Sequence, residues 1–191
     1  MISLRDVLWT ALAATATALL LKIFVIGAFM IPSHSMERTL LAGDYIVVSK
    51  LAYTIGSVER GDVIVFRGPD TTGPDDDRPL IKRVVAVGGD SLVLTPNEIF
   101  VNDMRLPTPP LSAAPGPVSI ADSGILRLRI PEGRLFVIGD NRANSYDSRY
   151  WGLLDSTRII GKPLFVYWSY GPSTDDTAKH VRWGRLFSMI R

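Results

Sequence analysis

The sequence predicts a mainly β, antiparallel protein that carries one amino-terminal transmembrane helix. Three observations lead there: an almost uninterrupted apolar stretch at the start, short β-branched and aromatic runs after it, and turn residues between those runs. A length of 191 residues suits one globular unit with a small appendage. Hydrophobic residues make up 47% and charged residues 21%, which supports a packed core and argues against global disorder.

The apolar stretch runs from Val7 to Leu21 with only threonines as polar interruptions, and resumes from Ile23 to Ile31 after Lys22. A helix over Val7–Leu21 rises roughly 22 Å, short of the ~30 Å hydrocarbon core. Apolar residues on either side close the gap, and Lys22 falls where its long stem reaches an interface. The expected organisation is a short tail at 1–6, a transmembrane anchor at 7–27 and a β-rich domain at 28–191. Phe24 to Ile31 are expected to continue the anchor at the membrane surface. A cleaved signal peptide would have a shorter apolar region and a clearer basic start than Arg5-Asp6. A buried helix of a soluble protein is the other alternative, but so one-sidedly apolar a terminus rarely packs inside so small a domain. Charge alone does not orient the anchor.

After Pro32 the strand candidates are 45–50, 62–67, 80–87, 91–95, 98–101, 125–130, 135–138 and 164–169. Gly43-Asp44, Gly61-Asp62, Gly88-Gly89-Asp90, Pro96-Asn97 and Pro131-Glu-Gly133 punctuate them. Regular short strands with turns predict an antiparallel sandwich or a partly open barrel. The acidic stretch 68–79 reads as a solvated loop, because consecutive Asp75, Asp76 and Asp77 cannot all face one ion. Pro107 to Pro117 reads as an extended connection.

Composition then narrows the chemistry. There is no cysteine, which excludes thiol proteases, thiolate–zinc sites and disulfide frameworks. Two histidines, His34 and His180, cannot build a multi-histidine metal site, and no metal or organic cofactor is expected. A net charge of +2 with no dense basic run predicts no nucleic-acid partner. Nucleophilic chemistry must come from Ser, Thr, Lys or a carboxylate.

Ile31-Pro-Ser-His-Ser-Met-Glu-Arg-Thr-Leu40 places two serines where the chain leaves the membrane. A serine hydroxyl needs a base. His34 lies between the serines and points away from its neighbours in an extended chain, and His180 stands in no motif. The remaining base is a lysine in an apolar strand, Leu80-Ile-Lys-Arg-Val-Val-Ala-Val87. Alternation places Lys82 with Leu80 and Val84, and Arg83 with Ile81 and Val85, without saying which basic residue is buried. Only a lysine can give up its proton. Bringing its pKa from ~10.4 to ~7.5 needs about 4 kcal/mol of destabilisation of the ammonium, which desolvation can supply.

Four segments in order resemble the bacterial type I signal peptidase family (leader peptidases with a Ser–Lys dyad). They are Pro32-Ser-His-Ser-Met36 with Thr39-Leu40, Gly43 to Lys50, Arg60 to Phe66 with Ile81 to Val85 and Gly88-Gly-Asp90, and Gly139-Asp-Asn-Arg-Ala-Asn-Ser-Tyr-Asp-Ser-Arg-Tyr-Trp-Gly152. Read by residues alone, that last segment is a polar loop. The resemblance implies that Ser35 is the nucleophile and Lys82 the general base. It implies an oxyanion hole made by the Ser35 N–H and the Ser33 hydroxyl, and dyad support from Ser145 and the pair Asp147–Arg149. Asp140 and Asn141 are implied to shape the same loop.

The resemblance further implies a substrate pocket of Phe29, Ile31, Pro32, Met36, Leu40 and Ile81 that selects small side chains at the first and third positions before the cut. The implied partners are signal peptides of secreted preproteins and the lipid bilayer. The implied location is the plasma (inner) membrane, single-pass, with the catalytic domain on the extracytoplasmic side and a monomer as the expected state. A reduced second β subdomain is expected at about 90–130. Arg38 departs from the family's usual proline, and Ala143 stands where an acid is frequent. Two rivals remain: a relative that matures one dedicated substrate such as a pilin, and an inactive tethered β module, which would lack Ser35 or Lys82.

Overall fold

The computed structural model describes residues 3–20, 25–68, 78–95, 98–106, 125–172 and 179–191. Lys22, the acidic run 75–77, the Pro96-Asn97 turn and the connection 107–117 lie outside them.

A helix, α1 (Leu4–Leu20), opens the chain and is exposed on every described side. Its 17 residues rise about 25 Å. Among the described residues, no helix is long and apolar enough to cross a membrane. The strand β1 (Ile26–Met30) follows, where the sequence led us to expect a continuation of the anchor. Its backbone groups pair antiparallel with β2 (Asp44–Ser49), in register from Ile26↔Ser49 to Met30↔Tyr45. Ile26 and Gly27 therefore belong to the sheet and not to a helical anchor reaching residue 27. Apolarity alone could not reveal this, since a short apolar run suits helix and strand alike.

Ten further strands follow: β3 (Val63–Arg67), β4 (Pro79–Ala86), β5 (Ser91–Leu94), β6 (Ile99–Val101), β7 (Met104–Arg105), β8 (Leu126–Arg129), β9 (Arg134–Ile138), β10 (Leu154–Asp155), β11 (Ile159–Pro172) and β12 (Lys179–Val181). Two one-turn helices, α2 (Ala52–Ile55) and α3 (Ser148–Trp151), sit between them. The larger sheet is curled and antiparallel, with order β1-β2-β11-β3-β4-β9-β10, and β12 pairs with the end of β11. A second sheet, β7-β6-β5-β8, is drawn from residues 91–129.

β11 bridges the larger sheet by pairing with β3 through Ile159 and Gly161 and with β2 from Lys162 onward. Register shifts interrupt both pairings, one of them just after Pro163, which has no N–H to give the ladder. Gly161 is required there, because a Cβ would sit 2.2 Å from the Ser49 carbonyl oxygen.

Three apolar clusters hold this frame. One packs Ile31, Met36 and Leu40 against Ile46, Val48, Val65 and Ile81, and so fastens the segment after β1 to the sheet. A second joins the two sheets through Val85, Phe136, Leu92 and Ile130. The third packs Ile64, Phe66, Val84 and Val137 beneath Trp151 of α3.

Candidate active site

The segment after β1 folds back on itself. Ile31 N–H donates to the Asp44 carbonyl and Gly43 N–H to the Ile31 carbonyl, each at 2.8 Å, closing a loop that runs from 31 to 44. Within it, Thr39 N–H and Leu40 N–H both return to the Met36 carbonyl. Burial of Met36 and Leu40 in the core fixes how this turn faces the sheet, and it leaves Ser35 pointing at β4.

On β4 the ambiguity between the two basic residues is resolved. Lys82, paired with Ile64 across the ladder, is 4% exposed. Its Nζ lies 2.8 Å from Ser35 Oγ and donates to its neighbour's carbonyl, Ile81 O, at 3.0 Å. Arg83 faces the other way and is spanned by Asp140, with Nε–Oδ1 at 2.8 Å and Nη2–Oδ2 at 2.7 Å. Burial lowers the Lys82 pKa from 10.5 to about 8. Asp147 and Asp140 oppose that shift and Arg149 reinforces it, but desolvation is the largest of these effects. A lysine so placed is neutral in an appreciable fraction near neutral pH and can accept a proton from the hydroxyl beside it.

The segment 139–149 packs against Ser35. Asn141 N–H donates to the Ser35 carbonyl at 3.0 Å, and its Nδ2 donates to the His34 carbonyl and to Glu37 Oε2. Asp140 accepts from the Thr39 hydroxyl at 2.6 Å. Burial would raise the Asp140 pKa, yet the hydrogen bonds from Arg83 and Thr39 win and hold its carboxyl below the usual range.

Asp147 is fully buried and binds Arg149 through both carboxylate oxygens, at 2.8 and 2.9 Å. It also takes the Gly139 N–H and caps α3 at the Arg149 N–H. Gly139 is the point of closest approach, where a Cβ would lie 2.5 Å from Ser35 O and 2.2 Å from Ser145 Oγ. Ser33 Oγ is 3.3 Å from Ser35 Oγ. Ser145 Oγ is buried beside Gly139 with no hydrogen-bond partner, and the bonds of Lys82 Nζ go to Ser35 and Ile81.

Beside the pair opens a cleft of about 810 Å³. Of the six residues expected to form a pocket, Phe29, Ile31, Pro32 and Ile81 line it. Met36 and Leu40 do not, because they are fully buried in the core behind the turn that carries Ser35. Sequence reasoning missed Asn144 and the half-exposed Tyr146 in the same wall, although both adjoin Ser145. It also missed Arg78, Pro79 and Leu80 at the start of β4. His34 reaches the rim, but its Nδ1 sits 2.6 Å from Glu37 Oε1. His180 is exposed on β12. Among the described residues, no group of three or more His, Asp or Glu gathers to hold a metal.

The family model described as "Signal peptidase, peptidase S26" matches residues 4–168. The chain belongs to that family. Its relatives include a probable signal peptidase I-1 of Synechocystis, 35% identical across 93% of this chain and 84% of the relative. The signal peptidase I of Bacillus caldolyticus is 30% identical across 85% and 90%, and that of Mycobacterium tuberculosis 31% across 87% and 73%. A solved signal peptidase I from Enterococcus faecalis is 26% identical over 56% of this chain and 97% of its own, with a TM-score of 0.41.

Membership brings the enzyme class, a hydrolase of the serine endopeptidase kind. One departure from the signal peptidase pattern has a structural counterpart. Arg38, standing where proline is usual, has φ 106°, which a proline ring cannot adopt.

Proposed function

We propose that this chain cleaves signal peptides from exported preproteins, after small side chains at the first and third positions before the cut, with Ser35 as nucleophile and Lys82 as general base. The observation that carries the reading is the 2.8 Å contact between Ser35 Oγ and a lysine amine that burial has brought to a pKa of about 8.

In the proposed reaction, neutral Lys82 takes the Ser35 proton as Oγ attacks the scissile carbonyl. Charge collects on the former carbonyl oxygen, toward which the Ser35 N–H and the Ser33 hydroxyl donate. The protonated Lys82 then gives its proton to the leaving amine, and the acyl-enzyme forms. Water, giving a proton to the neutral Lys82 amine, attacks the acyl carbonyl, and Lys82 passes that proton to Ser35 Oγ as the acyl chain leaves. The ion pair Asp147–Arg149 keeps the loop in place, and the Ser145 hydroxyl, which bonds to no group at rest, lies beside Gly139. In this reading the apolar wall of Phe29, Ile31, Pro32 and Ile81 beside Ser35 receives the small side chains.

The exposed apolar α1, with the residues on either side of it, is the single membrane anchor in this reading. It places the catalytic face at the outer surface of the plasma membrane, where the cut site emerges. Cleavage of a preprotein in detergent tests the proposal, with Ser35→Ala and Lys82→Ala checked for folding by circular dichroism. Loss of cleavage in both variants, and a wild-type product starting after a small-x-small site, would support it. An active Lys82→Ala would place the base elsewhere.

A further inference from the structure

We infer that the carboxyl-terminal segment 179–191 is a clamp on the nucleophile loop, with Arg185 as a positioning residue for the reaction. The inference rests on the reading of Ser35 as nucleophile. The segment lies beyond residue 168, where the family model ends, so the match says nothing of it.

Asp44 closes the neck of the 31–44 loop through its backbone, and its side chain is wholly buried. That carboxylate accepts from the Leu41 N–H at 2.8 Å, from Ser169 Oγ at 2.7 Å and from Arg185 Nε at 2.9 Å. Arg185 Nη2 binds the second carboxylate oxygen and also donates to the Thr39 carbonyl at 3.0 Å. Arg182, three residues earlier, donates to the Ala42 carbonyl at 3.1 Å. Two guanidinium groups thus grip residues 39, 42 and 44 of the limb that follows Ser35. Thr39 carries the constraint onward, because its hydroxyl binds Asp140, and Asp140 binds Arg83 beside Lys82. One arginine is therefore connected to both members of the dyad.

The clamp is itself anchored. Ile190 is buried in the same cluster as Met36 and Leu40, and its N–H donates to the Leu164 carbonyl at 2.9 Å. Phe187 N–H binds the Val166 carbonyl, and Val166 N–H binds Ser188 O. Three acceptors around one planar cation demand the fork of an arginine, and a lysine can satisfy them only in part. A 2.8 Å nucleophile–base contact tolerates little displacement, and a misplacement near 1 Å costs about a hundred-fold in rate.

Steady-state cleavage of a preprotein by the wild type and Arg185→Lys tests this, together with hydrogen exchange on the wild type. The variant should lose about ten-fold or more in kcat per folded molecule. KM should change little and the pH of the rising limb should stay in place. A purely structural role would lower the melting temperature while kcat of the folded fraction stayed normal, and that result overturns the clamp. In the wild type, the amides of 39–44 and 187–190 should open as one unit. Independent exchange of the two segments overturns the proposal even if the variant fails to fold. Failure of the wild type to cut would count against the catalytic reading instead, and exchange would still decide the clamp.

Discussion

Replacing Lys82 by Met removes a buried ionisable group while keeping a chain of similar length, so its effect on stability must depend on pH. The folded pKa of Lys82, about 8, lies below its ordinary 10.5. Between those values the unfolded chain binds a proton that the folded chain does not, so stability rises with pH across the interval. Below about 8 the full cost of burying the ammonium is present, and above about 10.5 it is gone. A depression of this size corresponds to about 3 kcal/mol, and no discount for solvent applies because the side chain is 4% exposed. Against this, Met leaves the Ile81 carbonyl without its Nζ donor, at a cost of about 1 kcal/mol.

The expected outcome is that Lys82→Met is the more stable protein at pH 7, by about 2 kcal/mol, and loses that advantage near pH 10. Urea unfolding of both proteins in detergent, followed by tryptophan fluorescence at intervals from pH 7 to 10.5, measures the difference directly. Other titrating groups are common to both chains and cancel. Two parallel stability curves across pH 8 to 10 would mean that the folded pKa is not depressed. The base would then be an ordinary ammonium at neutral pH, and the mechanism proposed for Ser35 would lose its proton acceptor.

The same pKa predicts a kcat/KM profile that rises with pH and levels off above about 8, measured by peptide cleavage from pH 6 to 10. Asp147→Asn removes a carboxylate that raises the Lys82 pKa and leaves Arg149 buried without its partner. In a folded sample the rising limb should move to lower pH, and urea unfolding should show a loss of about 3–5 kcal/mol. Gly139→Ala drives a methyl into Ser35 O and Ser145 Oγ, so cleavage should fall at least a hundred-fold while circular dichroism still reports β structure. Arg38→Gly relieves a positive φ and should raise stability by up to about 1 kcal/mol, whereas Arg38→Pro, unable to reach φ 106°, should lower it. Thermal unfolding distinguishes the two signs.

What the sequence disclosed about this molecule follows from the range over which each signal acts. Strands such as Asp62–Arg67 and Leu80–Val87 were legible because β-branched runs and glycine turns are local; the structure places β3 within the first and β4 one residue earlier than the second. The apolar start misled at its end, since apolarity does not distinguish a helix from Ile26–Met30 hydrogen-bonded to β2. Lys82 and Arg83 could not be ranked by alternation. Their fates are decided by Asp140, a residue 57 positions away that occupies the arginine and leaves the lysine to burial. The polar segment Gly139–Gly152 shows the same limit, because its hydrogen bonds run to residues 33–40 more than a hundred positions back. Asp44 was legible only as part of a turn, and Arg182 and Arg185 carried no local signal; the pairing of β11 with β2 and of β12 with β11 brings them together. The Ser35–Lys82 contact is assembled by segments distant in the chain, so the residues that hold it there are the ones a linear reading is least able to find.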